Sequence, residues 1–189
     1  MSAAFGQTAL LLMHVQNGIV SRFETPGALE PFQRALEGAR RHDVYTIHVR
    51  VAFTDGYPEL NPDNKLISAV KNVVGVTTAS ESQTQIHDTV RPQQGEPVVI
   101  NRRISSFVGS NLDVILRSQH ITHLVLAGIS TSGVVLSTLL EASDKDFTLS
   151  VLSDACLDGD EEVDQVLLHK VFPTKAKVCT VDEWIATLA

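Results

Sequence analysis

The chain of 189 residues is poor in cysteine and has no long apolar run. Its two cysteines, Cys156 and Cys179, are too few for a disulfide framework and lack the CxxC spacing of redox or zinc motifs. No apolar stretch approaches the roughly 18 residues that a membrane span needs. The first residues lack the pattern of a secretory signal peptide. These absences predict a cytoplasmic protein with two reduced, buried thiols and no membrane contact.

Positive charge is also scarce. Lysine and arginine number 15 against 22 aspartate and glutamate, which gives a formal net charge of −7. The adjacent arginines stand in isolated pairs and form no basic stripe, so nucleic acid is not an expected partner. His120 and His123 flank a predicted turn and have no third ligand nearby, so no metal site is expected. Nothing in the sequence calls for a cofactor.

Short apolar or β-branched runs alternate with segments of helical periodicity. Strands are predicted at residues 8–13, 44–51, 98–100, 123–127, 148–152 and 177–180, and helices at 30–41, 132–142, 160–171 and 182–188. This alternation predicts an α/β fold, a doubly wound (Rossmann-like) six-stranded parallel sheet with helices on both faces, in a single domain over residues 1–189.

Residues 52–94 are the longest stretch without a clear period. Long loops of this kind in compact domains are often lids or interface arms, so this segment is expected to cover the functional site. Doubly wound sheets bind ligands beyond the carboxyl ends of their strands. The residues that follow Met13, Ile100 and Ala127 are therefore the first candidates for a site.

Sequence motifs lie at these same strand ends. Residues 10–17 read Leu-Leu-Leu-Met-His-Val-Gln-Asn, residues 102–107 Arg-Arg-Ile-Ser-Ser-Phe, and residues 128–135 Gly-Ile-Ser-Thr-Ser-Gly-Val-Val. Their order and positions resemble the isochorismatase-like hydrolases, in which the segments read Asp-x-Gln-Asn, Lys-x-Arg-aromatic-Ser-Ala-Phe and Gly-x-x-Thr-x-x-Cys-Val. The resemblance covers almost the whole chain and implies the fold predicted above.

The family's catalytic aspartate, lysine and cysteine correspond to His14, Asn101 and Val134. The resemblance therefore implies a degenerate triad, and the acyl-enzyme route is not expected because Val134 has no nucleophilic atom. The family's true isochorismatases also lack the cysteine and use the aspartate as a general acid, a role that would fall here to His14. An oxyanion hole would use the amides of Ser130 and Val134, beside a cis peptide between Ile129 and Ser130.

Each candidate side chain has a functional and a structural interpretation. His14 is either an acid/base group or a hydrogen-bonded histidine in a pocket without chemistry. Arg102 could clamp an anion, whereas Arg103 is expected in a structural ion pair. The remaining substrate-binding candidates are Gln16, Ser130, Thr131 and Ser132, and the hydroxyls among them could equally be helix caps or, less simply, a nucleophile for His14.

Three functions remain open. The chain could be a hydrolase or lyase that acts on a small carbonyl or carboxylate compound with His14 as acid/base. It could instead bind such a small-molecule ligand without turnover, as a pseudoenzyme, or pair with an active homologue as a structural subunit. The resemblance further implies a homodimer or higher homo-oligomer.

Overall fold

The computed structural model describes residues 7–23, 25–65 and 78–188. These residues contain six strands, β1 (Gln7–Met13), β2 (Tyr45–Val51), β3 (Val98–Asn101), β4 (Ile121–Ile129), β5 (Thr148–Leu157) and β6 (Lys177–Cys179). They form one sheet in the order β3-β2-β1-β4-β5-β6, and all five pairings are parallel. The predicted six-stranded parallel sheet is thus confirmed.

Five of the six described α-helices lie between the strands, and the last follows β6. The six are α1 (Asn17–Val20), α2 (Glu30–Arg41), α3 (Leu112–Ser118), α4 (Leu136–Asp144), α5 (Glu161–Val166) and α6 (Val181–Ala186). A π-helical turn (Thr131–Val135) leads into α4, and a second (Leu167–Val171) continues α5. The helix predicted from residue 132 therefore begins as a wider turn, and α3 was not predicted.

Alternate side chains of β1 enter the two cores on either side of the sheet. Leu10 and Leu12 pack with α2 and α6, whereas Leu11 and Met13 pack with α3, α4 and the turn after α5. All four are at most 1% exposed. Full burial of such a side chain contributes about 1.5–3 kcal/mol, so the unbroken apolar run of β1 fixes it at the centre of the sheet.

The strand order reverses between β1 and β4, because β1 to β3 progress in one direction and β4 to β6 in the other. Met13 pairs with Gly128 across this switch point. A Cβ at Gly128 would lie 2.7 Å from the Met13 carbonyl oxygen, so a larger residue has no room. The close approach brings the residue after Met13 beside the turn that follows β4, which is where such sheets bind ligands.

Part of the predicted lid, 52–94, belongs to the described residues. Its first section is joined to the loop after β3 through Glu59, which accepts a bond from Arg102. Its later section is joined to β2 through Arg50, whose Nη1 donates to the Thr84 carbonyl and hydroxyl. Residues 66–77 lie outside the described residues, so the expectation that this segment covers the site stays a prediction.

Among the described residues, no helix is both long enough and apolar enough to cross a bilayer.

Candidate active site

Two buried polar side chains from different strand ends meet at the carboxyl edge of the sheet. His14 follows β1 and is 5% exposed, and Asn101 ends β3 and is fully buried. His14 Nε2 and Asn101 Oδ1 are 3.1 Å apart. The predicted proximity of these two residues, which are 87 positions apart in the chain, is observed.

The bonds of Asn101 determine which nitrogen of His14 carries the proton. The Asn101 amide nitrogen donates to the carbonyl oxygens of Arg103 and Ser105, at 2.7 and 3.2 Å. Its Oδ1 therefore faces His14 and can only accept, so Nε2 of His14 must donate. The neutral ring then has its free lone pair on Nδ1, which makes no hydrogen bond with the described residues. This tautomer leaves Nδ1 as a proton acceptor.

His14 is neutral at physiological pH. Burial lowers its pKa from 6.5 to about 4, because a charged ring loses its hydration there, and the bond to Asn101 opposes this only in part. His14 is therefore equipped to accept a proton and is almost never protonated near pH 7.

The backbone also constrains His14. Its φ is +59°, in the left-handed region that few residues other than glycine, asparagine and aspartate adopt readily. Its amide donates to the Val49 carbonyl of β2 at 2.8 Å. The chain thus turns sharply just after β1 while it stays attached to the neighbouring strand, and the ring is directed toward β3.

The turn after β4 begins with the cis peptide between Ile129 and Ser130, as the resemblance implied. The Ser130 hydroxyl accepts a bond from the Gly133 amide at 3.1 Å and so caps the π-helical turn. The Val134 side chain is 1% exposed and packs in the core beneath the turn. At this position the chain therefore offers backbone groups and a buried apolar side chain.

Thr131 and Ser132 behave differently from Ser130. Thr131 is fully buried, and its hydroxyl forms no geometrically sound hydrogen bond with the described residues, although it lies near the Asp164 carboxyl. Burial raises the pKa of Asp164, and the nearby hydroxyl opposes that shift. The Ser132 amide donates to Asp158 Oδ2 at 2.7 Å. Asp158 was not selected from the sequence, because the strand was predicted to end at residue 152 and Asp158 follows its observed end at Leu157.

The other predicted binding residues make contacts within the protein. Gln16 is fully buried, and both ends of its side-chain amide bond the backbone of Val51, at 2.9 and 3.1 Å. It therefore joins the end of β1 to the end of β2. A contact between Gln16 and substrate stays a prediction.

Both arginines after β3 bond to neighbouring backbone and to Glu59. Arg102 pairs with the Glu59 carboxylate at 3.2 Å and donates to the Ile100 carbonyl. Arg103 donates to the carbonyl oxygens of Arg102 and Glu59, at 2.7 and 2.9 Å. Of the two, it is thus Arg102 that forms the ion pair with a carboxylate, whereas the sequence assigned such a pair to Arg103. Whether Arg102 also contacts substrate stays a prediction.

The surroundings of the two thiols disfavour the thiolate. Cys156 lies within β5, whereas the sequence predicted that the strand ends before it. Burial raises the pKa of its thiol, as it does for Cys179. A buried thiol with a raised pKa is a poor nucleophile.

The sequence and the fold have relatives among known proteins. The model of the isochorismatase domain matches residues 8–183. The chain belongs to the isochorismatase family. The ureidoacrylate amidohydrolase RutB of Stutzerimonas stutzeri is 28% identical in an alignment 206 residues long. That alignment covers 97% of this chain and 83% of that protein. The isochorismatase family protein YwoC of Bacillus subtilis is 28% identical over 181 residues, with 96% and 94% covered.

Solved structures agree on the fold. An isochorismatase family protein from Burkholderia thailandensis superposes with a TM-score of 0.82 at 24% identity and covers 96% of this chain and 95% of its own. N-carbamoylsarcosine amidase from Thermoplasma acidophilum has a TM-score of 0.76 at 23% identity, with 93% and 97% covered. At these identities the superpositions establish the fold alone. The chemistry has to be inferred from the side chains of the site.

Proposed function

We propose that this family member is a hydrolase of small activated carbonyl compounds, such as esters, in which His14 acts as a general base on water without a covalent enzyme intermediate. The supporting observation is the bond from His14 Nε2 to an Asn101 oxygen that can only accept. With its proton on Nε2, the ring has an unprotonated Nδ1 that makes no hydrogen bond with the described residues. In this proposal His14, Asn101 and Val134 stand at the triad positions of the family, a set without the cysteine nucleophile.

In the proposed reaction, Nδ1 of His14 takes a proton from water while the water oxygen adds to the carbonyl carbon. The negative oxygen of the tetrahedral intermediate is held by the backbone amides of Ser130 and Val134. The imidazolium then returns the proton to the leaving oxygen as the bond from carbon to that oxygen breaks. Asn101 touches no reacting atom in this scheme and serves to position His14.

The low basicity of His14 restricts the substrate. A base with a pKa of about 4 removes protons from water inefficiently, because general-base catalysis improves as the pKa approaches the working pH. A reactive carbonyl with a good leaving group is therefore a better substrate than an unactivated amide. The same weakness supports the second candidate function, a site that binds a small carbonyl compound without turning it over.

The experiment compares wild type with His14→Asn on p-nitrophenyl acetate, nicotinamide and an N-carbamoyl amine. Asparagine tolerates the left-handed backbone at this position and lacks a base. We expect wild type alone to hydrolyse the ester, at a rate that is level from pH 6 to 8 and declines toward pH 4. The amides should not be hydrolysed by either protein.

The outcomes separate the two functions. Loss of ester hydrolysis in His14→Asn, with an unchanged melting temperature, supports the catalytic role. Equal ester hydrolysis in both proteins contradicts it and favours the binding function. Turnover of the amides by wild type within tenfold of an intact family member contradicts the absence of a nucleophile. Val134→Cys alone should leave amide turnover absent, because a thiol without its base and lysine is not activated.

A further inference from the structure

The charged groups at the carboxyl edge of the sheet are arranged unlike those of an anion site. The two polar groups at its centre, His14 and Asn101, are both neutral near pH 7. The nearest arginines, Arg102 and Arg103, are bonded to Glu59 and to backbone carbonyls. Among the described residues, no hydrogen bond or ion pair joins a cation to His14.

A carboxylate also occupies the place where an anionic ligand would gain most. The π-helical turn and α4 form one continuous helix from Thr131 to Asp144, whose first amides carry its positive dipole end. The Asp158 carboxylate accepts from the second of these, the Ser132 amide, at 2.7 Å, and from the Asp160 amide at 3.2 Å. A ligand carboxylate there would meet a negative group of the protein.

The same turn borders the free nitrogen of His14. Met13 and Gly128 are paired across neighbouring strands. His14, which follows Met13, therefore lies beside the Ile129–Ser130 peptide, which follows Gly128. His14 is 95% buried, and its Nδ1 makes no hydrogen bond with the described residues. A neutral acceptor beside a helix start that already holds a carboxylate favours an uncharged ligand over an anion.

We propose that Asp158 is a specificity-determining residue, which makes this site select uncharged carbonyl compounds over the corresponding carboxylates. The inference rests on the proposed function for the location of the site. It extends that function by naming the substrate class and the residue that excludes anions.

Asp158→Asn is the informative variant. Its side-chain oxygen can still accept the Ser132 amide, so the turn keeps its cap while one negative charge is lost. Asp160→Asn is the matched control, because it removes the same charge two residues away, where the Asp160 carboxylate caps α5 through the Val163 amide. A difference between the two variants reports the position of the charge and not the change in net charge.

The test measures binding of benzamide and benzoate by NMR titration of the ¹⁵N-labelled protein, at low and at moderate salt. Neither probe is an activated ester, so binding is measured apart from turnover. For wild type we expect benzamide to bind at least tenfold more tightly than benzoate. In Asp158→Asn the benzoate affinity should rise about fivefold or more while that of benzamide stays within twofold. Asp160→Asn should match wild type.

Three results would overturn the inference. They are equal affinity of wild type for the two probes, the same gain for benzoate in both variants, and no binding of benzamide at millimolar concentration. Each leaves the ester assay with His14→Asn unaffected. Conversely, wild type could bind benzamide more tightly than benzoate and yet hydrolyse no ester. That result would refute the proposed catalysis and leave the proposed selectivity standing.

Discussion

Two buried histidines, His14 just after β1 and His48 within β2, are held in different ways. His14 faces the neutral oxygen of Asn101, whereas His48 in β2 faces the Glu96 carboxylate, with Nε2 and Oε2 2.9 Å apart. Glu96 is itself held by Arg40 through two bonds of 2.7 and 2.8 Å. Burial lowers the pKa of both rings, although the Glu96 bond and charge oppose this for His48.

The two clusters are suited to different roles. In the His48 cluster, burial by itself raises the pKa of Glu96, but bonds from Arg40, the Gln93 amide and His48 outweigh it and lower the pKa to about 2. The carboxylate thus stays charged and satisfied, as in a structural network. The His14 pair has no charge, and its ring keeps one nitrogen free. Nδ1 of His48 is likewise without a partner among the described residues, so what distinguishes the two clusters is the charge beside the ring.

The largest expected effect comes from acid. A ring with a native pKa of about 4 and an unfolded pKa near 6.5 binds its proton more readily in the unfolded chain, so stability decreases as the pH falls from 6.5 to 4 and its contribution levels off below that. For His14 the total is about 3 kcal/mol, from about 1.4 kcal/mol per pH unit. His48 adds loss in the same direction.

Urea unfolding of wild type and His14→Asn at several pH values measures this contribution. The variant should lose less stability than wild type between pH 6.5 and 4. His48→Asn is the matched comparison, since it also removes one buried ring and should flatten the curve as well. Parallel curves for wild type and His14→Asn would show that His14 is not held neutral by the fold.

The second prediction concerns the His48 cluster. Glu96→Gln keeps the volume of the side chain but leaves the Arg40 guanidinium without its counter-charge. We expect a loss of about 2–3 kcal/mol in the free energy of unfolding at pH 7, below the about 3–5 kcal/mol of fully buried pairs because a quarter of the Arg40 side chain is exposed.

Asp88→Asn is the control for the second prediction, because the Asp88–Arg91 pair lies at the surface. Its urea midpoint should remain close to that of wild type. A similar midpoint for Glu96→Gln would mean that the cluster does not hold the fold, and the contrast between the two histidines would lose its basis.

The sequence predicted the elements with strong periods better than the contacts between them. The apolar run of β1 and the period of α2 were predicted nearly to the residue, because burial alone determines them. β5 was predicted to end at residue 152 but continues to Leu157, because its polar Asp154 is satisfied by the Val181 amide and by Arg34. Such long-range partners leave no local pattern.

The candidate site could also be predicted only in part. The meeting of His14 and Asn101 could be predicted, since both follow strands whose carboxyl ends lie together. The tautomer of His14 could not, because it depends on carbonyls of Arg103 and Ser105 in an irregular loop. The carboxylate of Asp158 at the helix start could not either, since it comes from a different loop 26 residues away.

The smallest expected effect tests the comparison most directly, by giving His14 the kind of partner that His48 has. Asn101→Asp places a carboxylate against Nε2, and this charge should raise the pKa of His14 toward or above 6.5, because it favours the protonated ring. Stability should fall by about 1–2 kcal/mol at pH 8, since the carboxylate cannot donate to the Arg103 and Ser105 carbonyls. Ring NMR measures the pKa of His14 in both proteins, and His48 in the same spectra serves as the internal reference, with an unchanged titration. Any ester hydrolysis should then decline at pH 5 to 6, where wild type still has a neutral ring. If the pKa of His14 stays near 4 in Asn101→Asp, the neutral amide is not what separates the two histidines, and burial alone governs both.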